Sequence, residues 1–267
     1  MVDAGKNRKT VLITGAAGNI GTKLRRHLHG RYTLRLLDIN GGDPDETPEV
    51  IPIDLSTWSD ALLELFAGVD AVVHLAADPH ENKSWQELIT PNLDALNNVF
   101  IAATKTNVPR VVFASSNHLM GGYSIETQTG RWLTTNLPPR PGTRYRTDDG
   151  EAHDSTAYGA MKLCGERLGK SYAEAANGVC IAIRIGWVNH IGENRIEDLP
   201  SEASLWFKRM WLSTRDLCQL MEQAITVQQE PGSFFVVNGM SDNKNMVWDI
   251  VSTKTLLGYE PQDGLEF

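Results

Sequence analysis

Residues 9–14, K-T-V-L-I-T, are apolar and β-branched without alternation. A run of this kind predicts a parallel strand buried on both faces. The same signature returns at 33–37, 50–53, 70–77, 109–114 and 179–185. Between these runs the apolar positions take helical spacing over 19–29, 58–66 and 91–105, and again from the segment around Tyr158 to 177. Strand-helix alternation through six repeats predicts an α/β fold built on a doubly wound parallel sheet. Beyond 186 the alternation fades. Residues 187–200 read as loop, Ser213 and Asp216 can cap a helix over 217–228, and 233–238 is a last strand.

Length and composition narrow the class. With 267 residues, 41% of them hydrophobic, the chain can bury the core of one large domain or of a domain with a small lobe. No apolar run reaches the ~18 residues of a membrane span, and M-V-D-A-G-K-N-R-K lacks the core of a secretory leader, so a soluble cytoplasmic protein is expected. A formal charge of -8 argues against nucleic-acid and anionic-membrane partners. An anionic ligand would then be held by a few placed cations. Cys164, Cys180 and Cys218 are scattered and lack C-x-x-C spacing, so they suggest neither a disulfide framework nor a metal site and are expected as reduced core residues.

The first strand runs straight into T-G-A-A-G-N-I-G, placing Gly15, Gly18 and Gly21 at G-x-x-G-x-x-G spacing, with Asn19 and Ile20 opening the helix. Glycines there permit a tight turn, close approach of backbone to a pyrophosphate, and packing of helix on strand. Asp38 ends the second strand, seventeen residues past Gly21. A carboxylate at that point accepts hydrogen bonds from a ribose diol and repels a 2'-phosphate, which favours NAD over NADP unless Arg35 swings in as a screen. Asp54 and Leu55 are placed to meet an adenine edge, and Leu75, Ala76 and Ala77 offer small residues and backbone to the cofactor. Asn92 and Ile185 complete the expected cofactor set. His74, inside an apolar run, reads as a core histidine.

The chemistry centres on D-S-T-A-Y-G-A-M-K at 154–162, where Tyr158 and Lys162 stand one helical turn apart. A phenol titrates near ~10, so it serves as a base at neutral pH only where a fixed cation favours the phenolate. Lys162 can be that cation. The fifth strand ends in S-S-N-H, Ser115 to His118, and about forty residues of little periodicity follow, carrying Arg131, Arg140, Arg144 and Arg146. A loop of that length suggests a lid or a binding loop.

Together, T-G-A-A-G-N-I-G, Asp38, the serine after the fifth strand and Tyr158-x-x-x-Lys162 resemble the extended short-chain dehydrogenase/reductase family. Within it, F-A-S-S-N-H and R-I-G are similar to the uronate dehydrogenases. The resemblance implies a Rossmann domain over 1–185 carrying the catalytic Ser/Tyr/Lys. A small substrate lobe would occupy 186–267, with the helix and strand around 213–238 returning to the core. It implies NAD as cofactor, no metal, and a homodimer or homotetramer. It also implies oxidation of C1 of a sugar to a lactone: Ser116 would hold the C1 hydroxyl and Tyr158 would take its proton, with Lys162 tuning the phenol and holding the nicotinamide ribose. Asn117 and His118 would contact sugar hydroxyls, and Arg195 would hold an acidic C6 group. The loop between His118 and Tyr158 is longer and richer in arginine than expected of uronate dehydrogenases, and Trp187 stands where a small polar residue is expected. The acidic group is therefore left open among a hexuronate, a 6-sulfo-hexose such as sulfoquinovose, and a 6-phospho-hexose. A nucleotide-sugar epimerase or reductase shares the cofactor motifs, but only about eighty residues follow the sixth strand to hold a nucleotide. A non-enzymatic NAD sensor would be expected to have lost the Tyr-Lys pair.

Overall fold

The computed structural model describes residues 8–42, 48–190 and 204–266. In chain order its strands are β1 (Thr10–Thr14), β2 (Thr33–Asp38), β3 (Val50–Pro52), β4 (Ala71–His74), β5 (Arg110–Ser116), β6 (Arg144–Arg146), β7 (Ala152–Asp154), β8 (Val179–Ile185) and β9 (Phe234–Gly239). Seven of them form one parallel sheet in the order β3-β2-β1-β4-β5-β8-β9, while β6 and β7 make a separate antiparallel pair. This is the doubly wound Rossmann arrangement. Strand order reverses beside β1, which pairs with β2 on one side and β4 on the other, so a crevice opens at the carboxyl ends of those strands.

The absence of alternation in the strands has its cause in two apolar layers. Val11 and Ile13 of β1 join the core under α1 (Asn19–Leu28), while Leu12 between them joins the opposite core, under α2 (Asp60–Phe66). On that second face the chain continues with α3 (Trp85–Ile89), α4 (Ala95–Lys105) and α5 (Thr156–Ala176). Beyond β8 come α6 (Ser204–Arg209), α7 (Thr214–Thr226) and α8 (Val251–Leu257), with α7 packing beside α1. A third apolar cluster unites Leu119, Met120, Tyr123 and Leu133 with Trp206, Phe207, Met210 and Trp248. The chain around 119–133 is thereby packed against the C-terminal part rather than free.

Several boundaries differ from the sequence reading. The helix expected from 91 begins at Trp85, where Ser84 and Glu87 form a reciprocal capping box, and Pro91 is absorbed in a π-helical turn over Thr90–Asp94. The segment expected to be a structureless loop holds two 3-10 turns, Asn117–Tyr123 and Glu126–Thr129, besides the β6–β7 hairpin. Ser213 caps α7 by accepting from Asp216 N at 3.0 Å, but the helix starts at Thr214, so Asp216 lies within it. Its buried carboxylate accepts from Ser241 and from the Gln262 and Asp263 amides. Cys180 and Cys218 are buried as expected, whereas Cys164 is exposed on α5. Among the described residues no helix is long and apolar enough to cross a membrane.

Candidate active site

A cleft of about 1190 Å³ runs along the carboxyl ends of the strands, from Asp38 to Tyr158. At one end β1 passes into α1 through a turn in which Gly18 N donates to Gly15 O at 3.2 Å. Gly15 has φ +71° and sits against the β4 end, where a Cβ would lie 2.7 Å from Ala76 N, so no other residue fits both demands. Gly18, Asn19, Ile20 and Gly21 follow along the cleft wall, and α1 opens at Gly18 without a side-chain cap. The amides of that first turn therefore suit a pyrophosphate.

Asp38 is fixed by two backbone donors, Ala17 N at 2.9 Å and Asn40 N at 3.0 Å. Arg35 points elsewhere. Its guanidinium donates to Leu65 O and to Ala67 O, closing the end of α2 instead of screening a phosphate. No Arg and no Lys but Lys162 lines the cleft among the described residues, which fits the ribose diol of NAD and offers nothing to a 2'-phosphate. Asp54, Leu55, Leu75, Ala76, Ala77 and Ile185 all line the cleft. The Asp54 carboxylate already accepts from Ser56 N and Oγ. Asn92 does not line the cleft. Its amide clamps the Asp78 backbone, accepting from Asp78 N at 2.6 Å and donating to Asp78 O at 3.2 Å, so its expected cofactor contact is corrected to support of the 78–84 segment.

At the other end α5 brings Tyr158 and Lys162 to the cleft. The first turn of α5 lies against the turn after β5, where a Cβ on Gly159 would stand 2.7 Å from His118 O. Lys162 Nζ donates to Ala114 O at 2.9 Å and lies 5.6 Å from the Tyr158 ring centre. Burial lowers the ammonium to about 8. Burial also raises the Tyr158 phenol well above its ordinary value, and the carboxylates of Glu81 and Asp78 raise it further. Desolvation and two acids thus oppose the tuning expected of Lys162.

The two serines have separate places. Ser115 Oγ donates to Glu166 at 2.8 Å in a buried cluster that includes a two-bond pair of Glu166 with Arg184. Ser116 Oγ accepts from His118 N at 3.2 Å, and the residue lines the cleft. Asn117 donates to Ile185 O at 3.0 Å, and its Oδ1 is buried without a partner. His118 meets Tyr158 edge-on at 5.7 Å and is held below its ordinary range, at about 4, chiefly by burial. His74 is the core histidine expected, bonded to Thr14 Oγ1 at 2.7 Å.

The arginines of the 118–158 segment do not reach this end. Arg140 pairs with Glu126 and covers the Tyr123 ring at 4.2 Å, and Arg131 lies over the same ring. Arg144 pairs with Asp154 at 2.9 Å, and Arg146 donates to Gly150 O. Arg195 lies outside the described residues. In their place the structure brings Tyr145, Trp187 and Phe207, together with Glu81, to the wall. Of these only Trp187 had stood out in the sequence; the polar run at 78–84, at a strand's carboxyl end, was the signal that could have led to Glu81.

Residues 11–210 match the family described as NAD dependent epimerase/dehydratase. The chain belongs to that family. Among its relatives, an NAD-dependent glucose-6-phosphate dehydrogenase of Haloferax volcanii is 33% identical over 260 residues, covering 95% of this chain and 93% of the relative. An L-arabinose 1-dehydrogenase (NAD(P)(+)) of the same organism is 32% identical, covering 95% and 96%. The crystal structure of uronate dehydrogenase from Agrobacterium tumefaciens superposes with a TM-score of 0.74 at 29% identity, covering 96% of this chain and 85% of that one. The cofactor of this family member is NAD, in agreement with the Asp38 end of its cleft.

Proposed function

We propose that the protein is an NAD-dependent sugar 1-dehydrogenase that oxidises the C1 hydroxyl of an aldohexose with an acidic C6 group to its lactone. The observation that carries this reading is the meeting of Tyr158, Lys162 and Ser116 at one end of the cleft whose other end is shaped by Gly15 and Asp38. NAD, when bound, supplies the hydride acceptor and a positive charge. Ser116 donates to the C1 oxygen and Tyr158, as phenolate, removes the hydroxyl proton as C1 loses hydride. Lys162 keeps a cation beside the phenol and, with the charge of the oxidised cofactor, offsets the burial and the two carboxylates that oppose ionisation.

Tyr145, Trp187 and Phe207 line the sugar end with aromatic faces that suit a sugar ring, and only about eighty residues follow β8 to hold a nucleotide, which supports a dehydrogenase over an epimerase. Two of the relatives above are named for acidic sugars, glucose 6-phosphate and uronate, and one for L-arabinose at position 1. A hexuronate, a 6-phospho-hexose or a 6-sulfo-hexose is the substrate class this supports, with Arg195 as the anion's partner. The third apolar cluster would then act as the substrate lobe. The test is the product. A dehydrogenase gives a lactone, seen by NMR before it hydrolyses, with one reduced cofactor per sugar; an epimerised sugar without net reduction of NAD would overturn the reading.

A further inference from the structure

The sugar end of the cleft holds a carboxylate for which the chemistry above has no use. Glu81 lines the cleft with 30% of its side chain exposed, and among the described residues no donor comes within hydrogen-bond reach of it. Its Oε1 stands 3.6 Å from His153 Nε2 and 4.0 Å from His118 Nε2. Both gaps are too long for a hydrogen bond. His153 Nε2 is itself buried without a partner.

The position is built, not incidental. Asn92 clamps the start of the 78–84 segment, Lys83 bonds Asp78 at 2.7 Å, and Asn82 Oδ1 accepts from Asp154 N at 2.9 Å, tying the segment to the β6–β7 hairpin. The neighbouring imidazole is oriented as well. Ser155 Oγ accepts from Thr143 N at 2.9 Å, and its own proton has a 2.7 Å path to His118 Nδ1 against 3.4 Å to Thr143 O. Thr143 Oγ1 stands 3.1 Å from the same imidazole nitrogen, so Nδ1 faces two hydroxyls; with Nδ1 assigned as their acceptor, the ring proton is on Nε2, facing Glu81. A donor and an acceptor 4.0 Å apart leave room for one oxygen that accepts from the first and donates to the second. A hydroxyl does both.

We propose that Glu81 is a substrate-binding and specificity residue, accepting the hydrogen bond of a sugar ring hydroxyl other than the one oxidised, while His118 Nε2 donates to the same oxygen. The inference rests on the sugar dehydrogenase reading. It also orients the substrate, since an acidic C6 group is kept away from the Glu81 side by charge. Glu81 further affects the base: of the charged groups around Tyr158, Lys162 comes from α5 and Asp78 and Glu81 from the 78–84 segment, with neutral His118 edge-on. Removing the Glu81 charge makes the phenol easier to ionise.

The test compares wild type and Glu81→Gln on glucose 6-phosphate or a hexuronate and on the 2-, 3- and 4-deoxy analogues, by kcat/KM with NAD. One analogue should lose roughly 10- to 100-fold with wild type, the worth of a charge-assisted bond. Glu81→Gln should lose a similar factor on the parent sugar, mostly in KM, and no more than about 3-fold further on that analogue, because the partner is already gone. The acid limb of its kcat/KM profile should move to lower pH, with NAD binding unchanged by fluorescence titration. Equal penalties in the two enzymes for every analogue, with the wild type active, would overturn the assignment and leave the dehydrogenase reading intact. A wild type that reduces NAD with none of these sugars would overturn both.

Discussion

Removing the Glu166 carboxylate should cost the protein much of its stability, and the structure says how much. Glu166 lies on α5 one turn beyond Lys162, with 3% of its surface exposed, and Arg184 on β8 with 2%. Oε1 accepts from Arg184 Nε at 2.8 Å and from Ser115 Oγ at 2.8 Å, and Oε2 accepts from Arg184 Nη2 at 2.9 Å. In Glu166→Ala the guanidinium stays buried, with the Met120 sulfur, 3.4 Å from Nη1, as a poor substitute for a counter-charge. Breaking a buried pair from one side costs about 3–5 kcal/mol. Against a typical total of about 5–15 kcal/mol, the variant would stand near the edge of folding. Equilibrium urea unfolding, followed by the fluorescence of the seven tryptophans, measures the loss. The double variant Glu166→Met/Arg184→Met removes both charges, so it should recover at least half, the remainder including about 1 kcal/mol for the Ser115 hydroxyl left without its acceptor. A loss under about 1 kcal/mol in Glu166→Ala, or no recovery in the double variant, would refute the reasoning that an orphaned buried charge sets the cost.

Other predictions follow from the same site. Tyr158→Phe should abolish turnover with NAD affinity nearly unchanged in a fluorescence titration; a Phe variant with wild-type kcat would exclude the phenol as base. In the wild type, kcat/KM should rise with pH as Tyr158 loses its proton, with the acid limb above neutrality because burial, Glu81 and Asp78 all raise the phenol; a rate independent of pH from 6 to about 9 would contradict this. Asp38→Ala should narrow the NAD over NADP preference by roughly tenfold in kcat/KM, on the order of one charge-assisted bond, and an unchanged ratio would move the discrimination elsewhere. Asn92→Ala should raise KM for the sugar more than for NAD, since its amide holds the segment carrying Glu81 and not the cofactor.

The sheet was readable because every strand of its centre is buried on both faces, so Val11, Leu12 and Ile13 appear as one apolar run although they serve two cores. Gly15, Asp38, Tyr158 and Lys162 were readable for a different reason: local geometry demands their residue types at fixed places beside a strand end or on a helix turn. Asn92 misled because a polar residue near a cleft looks the same in sequence whether it faces ligand or backbone. The loop arginines misled for the same reason. Arg140 and Arg144 found Glu126 and Asp154 a few residues away in space, and one-dimensional spacing does not show such pairings. Glu81 and His153 stand 72 residues apart in sequence and come within 3.6 Å where Asn82 binds the β6–β7 hairpin. The depressed Lys162 and raised Tyr158 depend on burial, which the motif itself does not encode.

The most direct test of the central claim is a substrate panel read by absorbance of the reduced cofactor: glucose, glucose 6-phosphate, glucuronate, galacturonate and a 6-sulfo-glucose, each with NAD and with NADP. NAD should be reduced by at least one sugar with an acidic C6 group, at a kcat/KM one to two orders of magnitude above that for glucose, on the order of one charge-assisted bond. In Arg195→Ala, KM should rise for the acidic sugar and hardly for glucose. Preference for neutral glucose, or reduction of NAD by no sugar at all, would contradict the claim.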